Sequence, residues 1–321
     1  LLLERDGAVM RLVDAETVHR LLDYAGLVGA LRAAHRGPRP VTDRFLLEEP
    51  PHGANKFLAL GAWAPGEAIA TKLVGVFPAN LGRSPPEPSV QGIVALFDGT
   101  TGAARLVADG AAMTERKTLA DSALGADLLA RPDAATLLVV GAGALAPHAI
   151  RAHRTVRPSL DRVLVWNRTQ ARAAALVADM AREGIEVTVA ADLDAAVAAA
   201  DVICCVTMSA APLVRGALLK PGAHVDLIGG YTPRMREADD DTVRRGRVFM
   251  DNLAGLDHAG DLIDPIRRSV IAAADVLGDL WQLCAGSIEG RRSADEITVY
   301  KNIGGAHLDL FTARWLATRL A

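Results

Sequence analysis

Four things are scarce in this 321-residue chain, and each scarcity excludes something. Aromatic residues make up only 4% of it, and they do not interleave with basic residues as base-stacking surfaces require. Charge of one sign is not in excess. The 35 Lys and Arg stand against 38 Asp and Glu, a net of −3 with no basic block, so no nucleic-acid partner is expected. No apolar run reaches the roughly 18 to 20 residues that span a bilayer, so no membrane partner is expected either. Cysteine occurs three times, at Cys204, Cys205 and Cys284. Sequence neighbours rarely pair, and no Cys/His spacing resembles a zinc site. The expectation is therefore no metal, three reduced core thiols and a cytoplasmic protein. The opening LLLERDGAVMRL has neither a positive segment nor a cleavage site, and no initiator Met. It reads as a trimmed start rather than a secretory signal.

What is present is a core-forming composition, 50% hydrophobic, and a length that suits two domains of ordinary size. The most informative stretch is TLLVVGAGALA, Thr136 to Ala146. A short apolar run ends in Gly141, Ala142 and Gly143, and Ala144 and Leu145 open an alanine-rich segment suited to helix. This is the G-x-G-x-x-A form of the dinucleotide fingerprint in a strand–turn–helix context. Gly141 permits a tight turn, Gly143 lets a pyrophosphate approach the backbone, and Ala146 keeps the helix close to the sheet. The helix start then offers N–H groups and a positive dipole end.

Around that motif the pattern separates into two textures. Residues 9–34 carry a helical stripe of Leu21, Leu22, Leu27 and Leu31, with Asp14 as cap. From Pro38 to about Leu106, short apolar runs broken by Gly, Pro and Asp read as an antiparallel β region, with Asp98 to Gly102 as a hairpin turn. Residues 114–130 return to helix. Beyond the fingerprint, RVLVW, IEVTVA, DVICCVT, HVDLIGG and RVFMD alternate with helical segments, the doubly wound parallel pattern. The stretch from Thr298 onward reads as a final helix. The fold class is therefore α/β, with a Rossmann-type doubly wound domain preceded by an α+β region.

The end of the second strand bears on which nicotinamide cofactor is bound. An NAD site usually carries a carboxylate there. Here Trp166 is followed by Asn167, Arg168 and Thr169. Arg168 suits a 2′-phosphate, with Asn167 and Thr169 as hydrogen-bonding companions. A charge-assisted bond of roughly 1.5–3 kcal/mol is worth about 10- to 150-fold. The expected cofactor is NADPH, with NADH weaker. Thr207, Met208 and Ser209 end another strand and are expected to line the nicotinamide side of the crevice. Glu237 and Asp239 to Asp241 read as a helix N-terminal acid cluster, and GRRS (290–293) as a solvated loop.

Several ordered segments together resemble the ornithine cyclodeaminase/μ-crystallin family. They are KLVGVFPAN, DGAAMTERKTLADSALGADLLAR, LLVVGAGALAPHAIRAHRTVRP, VLVWNRT, VICCVTMSAAPLVRGALLKPGAHVDLIGGYTPRMREADDD and GRRSADEITVYKNIGGAHLDL. The phrases APHAIRAHRTVRP, APLVRG and HAGDL are most similar to the branch that reduces cyclic ketimines, the Δ1-pyrroline-2-carboxylate reductases. The resemblance implies a split substrate-binding and dimerisation domain, residues 1–124 with 300–321, around a dinucleotide-binding domain, residues 125–299, in a homodimer.

The same resemblance implies that Lys72, Lys117 and Arg44 hold a substrate carboxylate. Lys72 sits in an apolar run, where an unpaired ammonium would be costly, so a buried anion is expected beside it. The family's R-T-A-A motif reads Lys117, Thr118, Leu119, Ala120 here. The charge survives, but the planar two-pronged grip of arginine does not. Cyclodeaminases carry an aspartate where this chain has Tyr231. A phenol of pKa about 10 cannot serve as a carboxylate base near neutrality. Tyr231 instead suits a pocket wall or a hydrogen-bond donor. The implied activity is reduction of Δ1-pyrroline-2-carboxylate or Δ1-piperideine-2-carboxylate to L-proline or L-pipecolate. The alternatives are an alanine-type dehydrogenase, an ornithine cyclodeaminase and a non-catalytic NADPH-binding protein.

Overall fold

The computed structural model describes residues 2–5, 8–51, 53–85 and 87–320, and of residues 2–5, 8, 9 and 81 only the backbone. Residue 1, on which the reading of a trimmed start turns, lies outside the described residues. The chain divides into two units, Leu1–Thr118 with Gly305–Ala321, and Leu119–Gly304. In chain order the elements begin with β1 (Leu2–Arg5), β2 (Ala8–Val13), α1 (Ala15–Leu21), α2 (Tyr24–Ala34) and β3 (Val41–Glu48). Next come β4 (Lys56–Ala64), β5 (Ala68–Val76), β6 (Val90–Asp98), β7 (Ala104–Asp109) and α3 (Gly110–Leu129). Then follow β8 (Thr136–Val140), α4 (Leu145–Val156), β9 (Arg162–Trp166), α5 (Gln170–Arg182), β10 (Thr188–Val189), α6 (Leu193–Ala199) and β11 (Val202–Cys205). The last are β12 (His224–Leu227), α7 (Asp240–Arg245), β13 (Gly246–Met250), α8 (Gly260–Arg267), β14 (Val276–Asp279), α9 (Leu280–Ala285), β15 (Ile297–Lys301) and α10 (Ala306–Arg319).

The first unit is a seven-stranded sheet in the order β1-β2-β7-β6-β5-β4-β3, antiparallel except between β2 and β7. The turn at Asp98 forms as its residues dictate. The Asp98 carboxylate accepts the Thr100 and Thr101 N–H groups at 3.0 and 2.9 Å, and Gly102 takes a φ of +73°. Residues 9–34 are not one helix. Residues 9–13 belong to β2, and two short helices follow because two aspartates cap them. Asp14 accepts the Thr17 N–H at 2.9 Å and Asp23 the Gly26 N–H at 2.7 Å. The apolar stripe is real, for Leu22, Leu27 and Leu31 are fully buried.

Register assigns the two faces of this sheet. Arg44, Leu60, Lys72 and Val94 form one cross-strand row. Paired residues share a face, and on this face Ala68, Ala70, Lys72 and Val74 are buried. Helix α10 packs there, with Ala306 to Ala313 buried along it. The opposite face carries Val41, Phe45, Leu47, Phe57, Trp63 and Ile93, all 38–64% exposed, with the Phe45 and Phe57 rings 6.5 Å apart.

The second unit is an eight-stranded, wholly parallel sheet in the order β10-β9-β8-β11-β12-β15-β13-β14. Parallel strands are covered on both faces, which is why they read as continuous apolar runs. Leu138, Val140, Ile203, Cys205, Val225, Leu227, Val248, Met250 and Val299 form one buried cluster. The stretch from Thr298 is corrected here. Ile297–Lys301 is a strand, inserted between β12 and β13, and the helix begins only at Ala306. β-branched Ile297, Thr298 and Val299 fit a pleated position better than a helical one. The three cysteines are buried. No helix among the described residues is long and apolar enough to cross a membrane.

Candidate functional site

In the second unit, strand order reverses between β8 and β11, the switch point where doubly wound sheets take their ligands. Gly141 follows β8 with a φ of +113°, and a Cβ there would lie 3.0 Å from the Val206 carbonyl. That conformation and that approach both require glycine. Around Gly143 a Cβ would meet nothing within 4 Å, so the backbone stands open. Ala144, at the start of α4, supplies no side-chain cap, while Ala146 is fully buried against the sheet. Gly143 and Ala144 are exposed, and Leu145 and Ala142 are half-buried. An open backbone at an uncapped helix start fits a pyrophosphate.

The end of β9 is tied to this turn. Asn167 accepts the Ala142 N–H at 3.2 Å and donates to the Thr169 carbonyl at 2.9 Å, so its amide is engaged within the protein. Arg168 and Thr169 are exposed beside it, and none of residues 166–169 is a carboxylate. After β11, the Thr207 N–H and hydroxyl both donate to Glu237, at 2.6 and 2.7 Å. The Ser209 hydroxyl donates to the Ala211 carbonyl at 2.6 Å. Met208 is 74% exposed, and the Tyr231 hydroxyl rests 3.8 Å from its sulfur.

Glu237 departs from its reading as part of a helix-capping cluster. Asp239 is the cap of α7, accepting the Thr242 N–H at 3.0 Å. Glu237 is instead fully buried, and its second oxygen accepts the Gly229 N–H at 2.6 Å. Asp261, also buried, accepts the Glu237 and Ala238 N–H groups at 2.6 and 3.2 Å. It lies 3.2 Å from the Lys301 ammonium, which donates to the Leu227 carbonyl at 3.0 Å. Burial pushes the Glu237 carboxyl up to about 7, with Lys301 opposing and Asp261 adding to the rise. Burial also raises Asp251 to about 7, against the N–H groups it accepts. GRRS is likewise no plain solvated loop. Arg291 turns inward and donates to the Leu129 carbonyl at 2.7 Å and the Thr298 hydroxyl at 3.0 Å.

In the first unit, Lys72 on β5 and Lys117 on α3 are both buried. Lys72 donates to the Thr114 hydroxyl, which donates to the Gly110 carbonyl at 2.6 Å. The anion expected beside Lys72 is present as a protein group, Asp309 of α10. One Asp309 oxygen is 2.6 Å from Lys117 Nζ and the other 4.0 Å from Lys72 Nζ. Lys117 also donates to the Gly305 carbonyl at 3.5 Å. Burial pushes the Lys72 ammonium down to about 8, Asp309 opposing and Lys117 assisting. Arg116, next along α3, points elsewhere and donates to His19 at 3.1 and 2.8 Å. Arg44 shares the face of Lys72 but stands two strands away on the exposed β3. His307 is buried against His35 and Phe311, and burial holds its pKa far down.

Asp309, Glu237, Asp261 and Lys301 were not legible as site residues. One signal was available for Asp309, an acid set among Leu308, Leu310 and Phe311, which a buried helix tolerates only with a cation beside it.

The second unit is thus a Rossmann-type frame, and the first a mixed sheet with a buried cationic cradle. The chain belongs to the ornithine cyclodeaminase/mu-crystallin family, whose sequence model matches residues 8–321. It is 43% identical over 304 residues to the Delta(1)-pyrroline-2-carboxylate reductase of Paracoccus denitrificans, covering 94% of each chain. It is 38% identical over 314 residues to the protein SAR DEFICIENT 4 of Arabidopsis thaliana, covering 94% of this chain and 95% of that one. Among solved structures it is similar to Thermococcus litoralis Delta(1)-pyrroline-2-carboxylate reductase in complex with NADH and L-proline. The TM-score is 0.89 at 26% identity over 97% of each chain.

Proposed function

We propose that this protein is a nicotinamide-dependent ketimine reductase that converts Δ1-pyrroline-2-carboxylate or Δ1-piperideine-2-carboxylate to L-proline or L-pipecolate. The observation that carries the reading is the pair of buried lysines sharing a single carboxylate, a cradle with positive charge to spare for a substrate anion. The relatives support it, since one bears the name of that reductase at 43% identity.

When bound, the reduced nicotinamide supplies the hydride that goes to C2 of the imine. The chain's own residues do the rest. The turn from Gly141 to Leu145 holds the pyrophosphate, and Thr207, Met208, Ser209 and Tyr231 bound the nicotinamide end. Lys72 and Lys117 anchor the substrate carboxylate, with Arg44 at the rim, and so fix the orientation of C2. The imine nitrogen takes a proton from solution and leaves as a secondary amine. Tyr231 in place of a carboxylate favours reduction over deamination, because hydride addition needs no carboxylate base at that carbon. Arg168, with no acid at the end of β9, favours NADPH, with NADH as the weaker cofactor.

The first unit is the substrate-binding and dimerisation domain of this reading, and the second the dinucleotide-binding domain. The exposed apolar face of the seven-stranded sheet fits a homodimer contact, for an apolar patch of this kind marks an interaction surface. Three buried thiols fit a reducing, cytoplasmic setting. The test is oxidation of NADPH by purified protein on adding each cyclic imino acid. Turnover of a cyclic imino acid, with little activity on pyruvate plus ammonia, is expected. Tight NADPH binding with no turnover of either imine would sink the reading.

A further inference from the structure

The charge in the buried cradle is unevenly matched. Two ammonium groups, Lys72 and Lys117, face one carboxylate, Asp309, at 4.0 and 2.6 Å, and all three are buried. The neighbouring charges do not alter that balance. On α3, Arg116 donates to the His19 imidazole at 3.1 Å, and Glu115 lies 3.4 Å from the same ring. Burial pushes the pKa of His307 on α10 far down, with His35, Lys117 and Arg39 adding to the fall. Arg44 shares the face but sits at the exposed edge strand, where solvent screens it.

We propose that Asp309 is a specificity-determining residue, which cancels one of the two buried ammonium charges and so matches the cradle to substrates bearing one carboxylate rather than two. The proposal rests on the ketimine reductase reading and deepens it. Once a monocarboxylate is bound, the cluster is neutral. A second carboxylate brought among the buried groups would lose its hydration and find both buried ammonium charges already matched, which is unfavourable in a buried setting. The close Asp309–Lys117 pair also explains how lysine can stand at this position. Lys117 is held by a single carboxylate oxygen at 2.6 Å, a role that needs a point charge and not a two-pronged guanidinium.

The experiment compares Δ1-piperideine-2-carboxylate with Δ1-piperideine-2,6-dicarboxylate as substrates. In parallel, binding of the flat, unreactive pyrrole-2-carboxylate and pyrrole-2,5-dicarboxylate is measured by calorimetry. Assays are run at about pH 6, where Lys72 stays charged, since its pKa is pushed down only to about 8. The wild type should prefer the monoacid in both formats. In Asp309→Asn the preference should fall about tenfold or more, the ratio expected for one added buried charge. The double variant Asp309→Asn with Lys117→Gln removes the ion pair as a unit and restores a single positive charge, so it should regain the wild-type preference. If Asp309→Asn does not fold, the double variant decides. A retained monoacid preference supports the proposal, and acceptance of the diacid overturns it. An unchanged ratio in folded Asp309→Asn also overturns it. A wild type that neither reduces the imine nor binds pyrrole-2-carboxylate overturns the functional reading, and this proposal with it. Turnover in the wild type with an unmoved ratio overturns this proposal alone.

Discussion

Two buried charge clusters in this protein have opposite surpluses and opposite degrees of saturation. In the first unit, Lys72 and Lys117 outnumber Asp309. In the second, Glu237, Asp261 and Asp251 outnumber Lys301. The negative cluster has most of its acceptors engaged, and Asp261 Oδ2 faces Lys301 at 3.2 Å. Glu237 accepts Thr207 twice and Gly229 once, Asp261 accepts two backbone N–H groups, and Asp251 accepts the Gly304 N–H at 2.7 Å. Those bonds join the segments that follow β11, β12 and β13. The positive cluster is unsaturated among the described residues, for an ammonium offers three donors and Lys72 has there one hydroxyl acceptor and a carboxylate 4.0 Å off. A buried charge with its bonds made is architecture. A buried charge with donors left over is where the proposed reading puts the substrate carboxylate.

The largest test of that contrast is Lys72→Ala. On the proposed reading Lys72 faces the substrate carboxylate, so its removal should lower kcat/KM for the cyclic imine by about a hundredfold or more, the range for truncating one partner of a buried charge pair. NADPH affinity, measured by fluorescence titration, should change little. Equal loss of both would place Lys72 among the structural charges instead.

Next in size is Glu237→Ala. Three donors, the Thr207 N–H and hydroxyl and the Gly229 N–H, lose their acceptor at once. At about 1–3 kcal/mol for each buried unsatisfied group, partly relieved by entering water, a loss of about 3 kcal/mol is expected in denaturant unfolding. A loss below about 1 kcal/mol would mean the clamp is slack, and the comparison would lose its second half.

The two clusters should also answer pH differently. Lys72 is a base whose pKa burial has lowered to about 8, so its charge is present below that value and lost above it. Affinity for pyrrole-2-carboxylate should therefore fall up to about tenfold per pH unit above about 8. Glu237 is an acid raised from 4.5 to about 7. The folded state holds its proton longer than the unfolded chain does, so its contribution to stability falls as pH rises from about 4.5 to about 7. Glu237→Gln should flatten that decline while leaving the alkaline loss of ligand binding in place. A ligand affinity level from pH 7 to 10 would remove Lys72 from the cradle.

What the sequence made legible follows from the range of the interactions involved. The fingerprint and the strands around it were readable because a parallel strand covered on both faces is apolar throughout, and because Gly141 and Gly143 are needed locally. Lys72 and Lys117 stood out as cations in the right motifs, yet their anion lies about 190 residues beyond Lys117, on another element. β15 was hidden for the same reason. Its sequence ITVYK ends in a lysine, which suggests a polar end until Asp261 and the Leu227 carbonyl supply its partners. The break between α1 and α2 was missed because Leu21, Leu22, Leu27 and Leu31 keep helical phase across it, while Asp23 restarts the chain with its own cap.

The smallest expected effect belongs to a charge in neither cluster. Arg168 is exposed at the end of β9, so water competes for its guanidinium and salt screens it. A charge-assisted bond to a 2′-phosphate is worth about 1.5–3 kcal/mol when protected, and less in the open. Arg168→Ala should therefore shift the ratio of NADPH to NADH dissociation constants by about tenfold, toward NADH. Asn167 cannot make up the loss, because its amide already bridges Ala142 and Thr169. A ratio that does not move would mean that cofactor choice is not made at the end of β9. A shift as large as that of Lys72→Ala would mean that exposure does not discount this charge, and the contrast between buried and solvated cations would have to be redrawn.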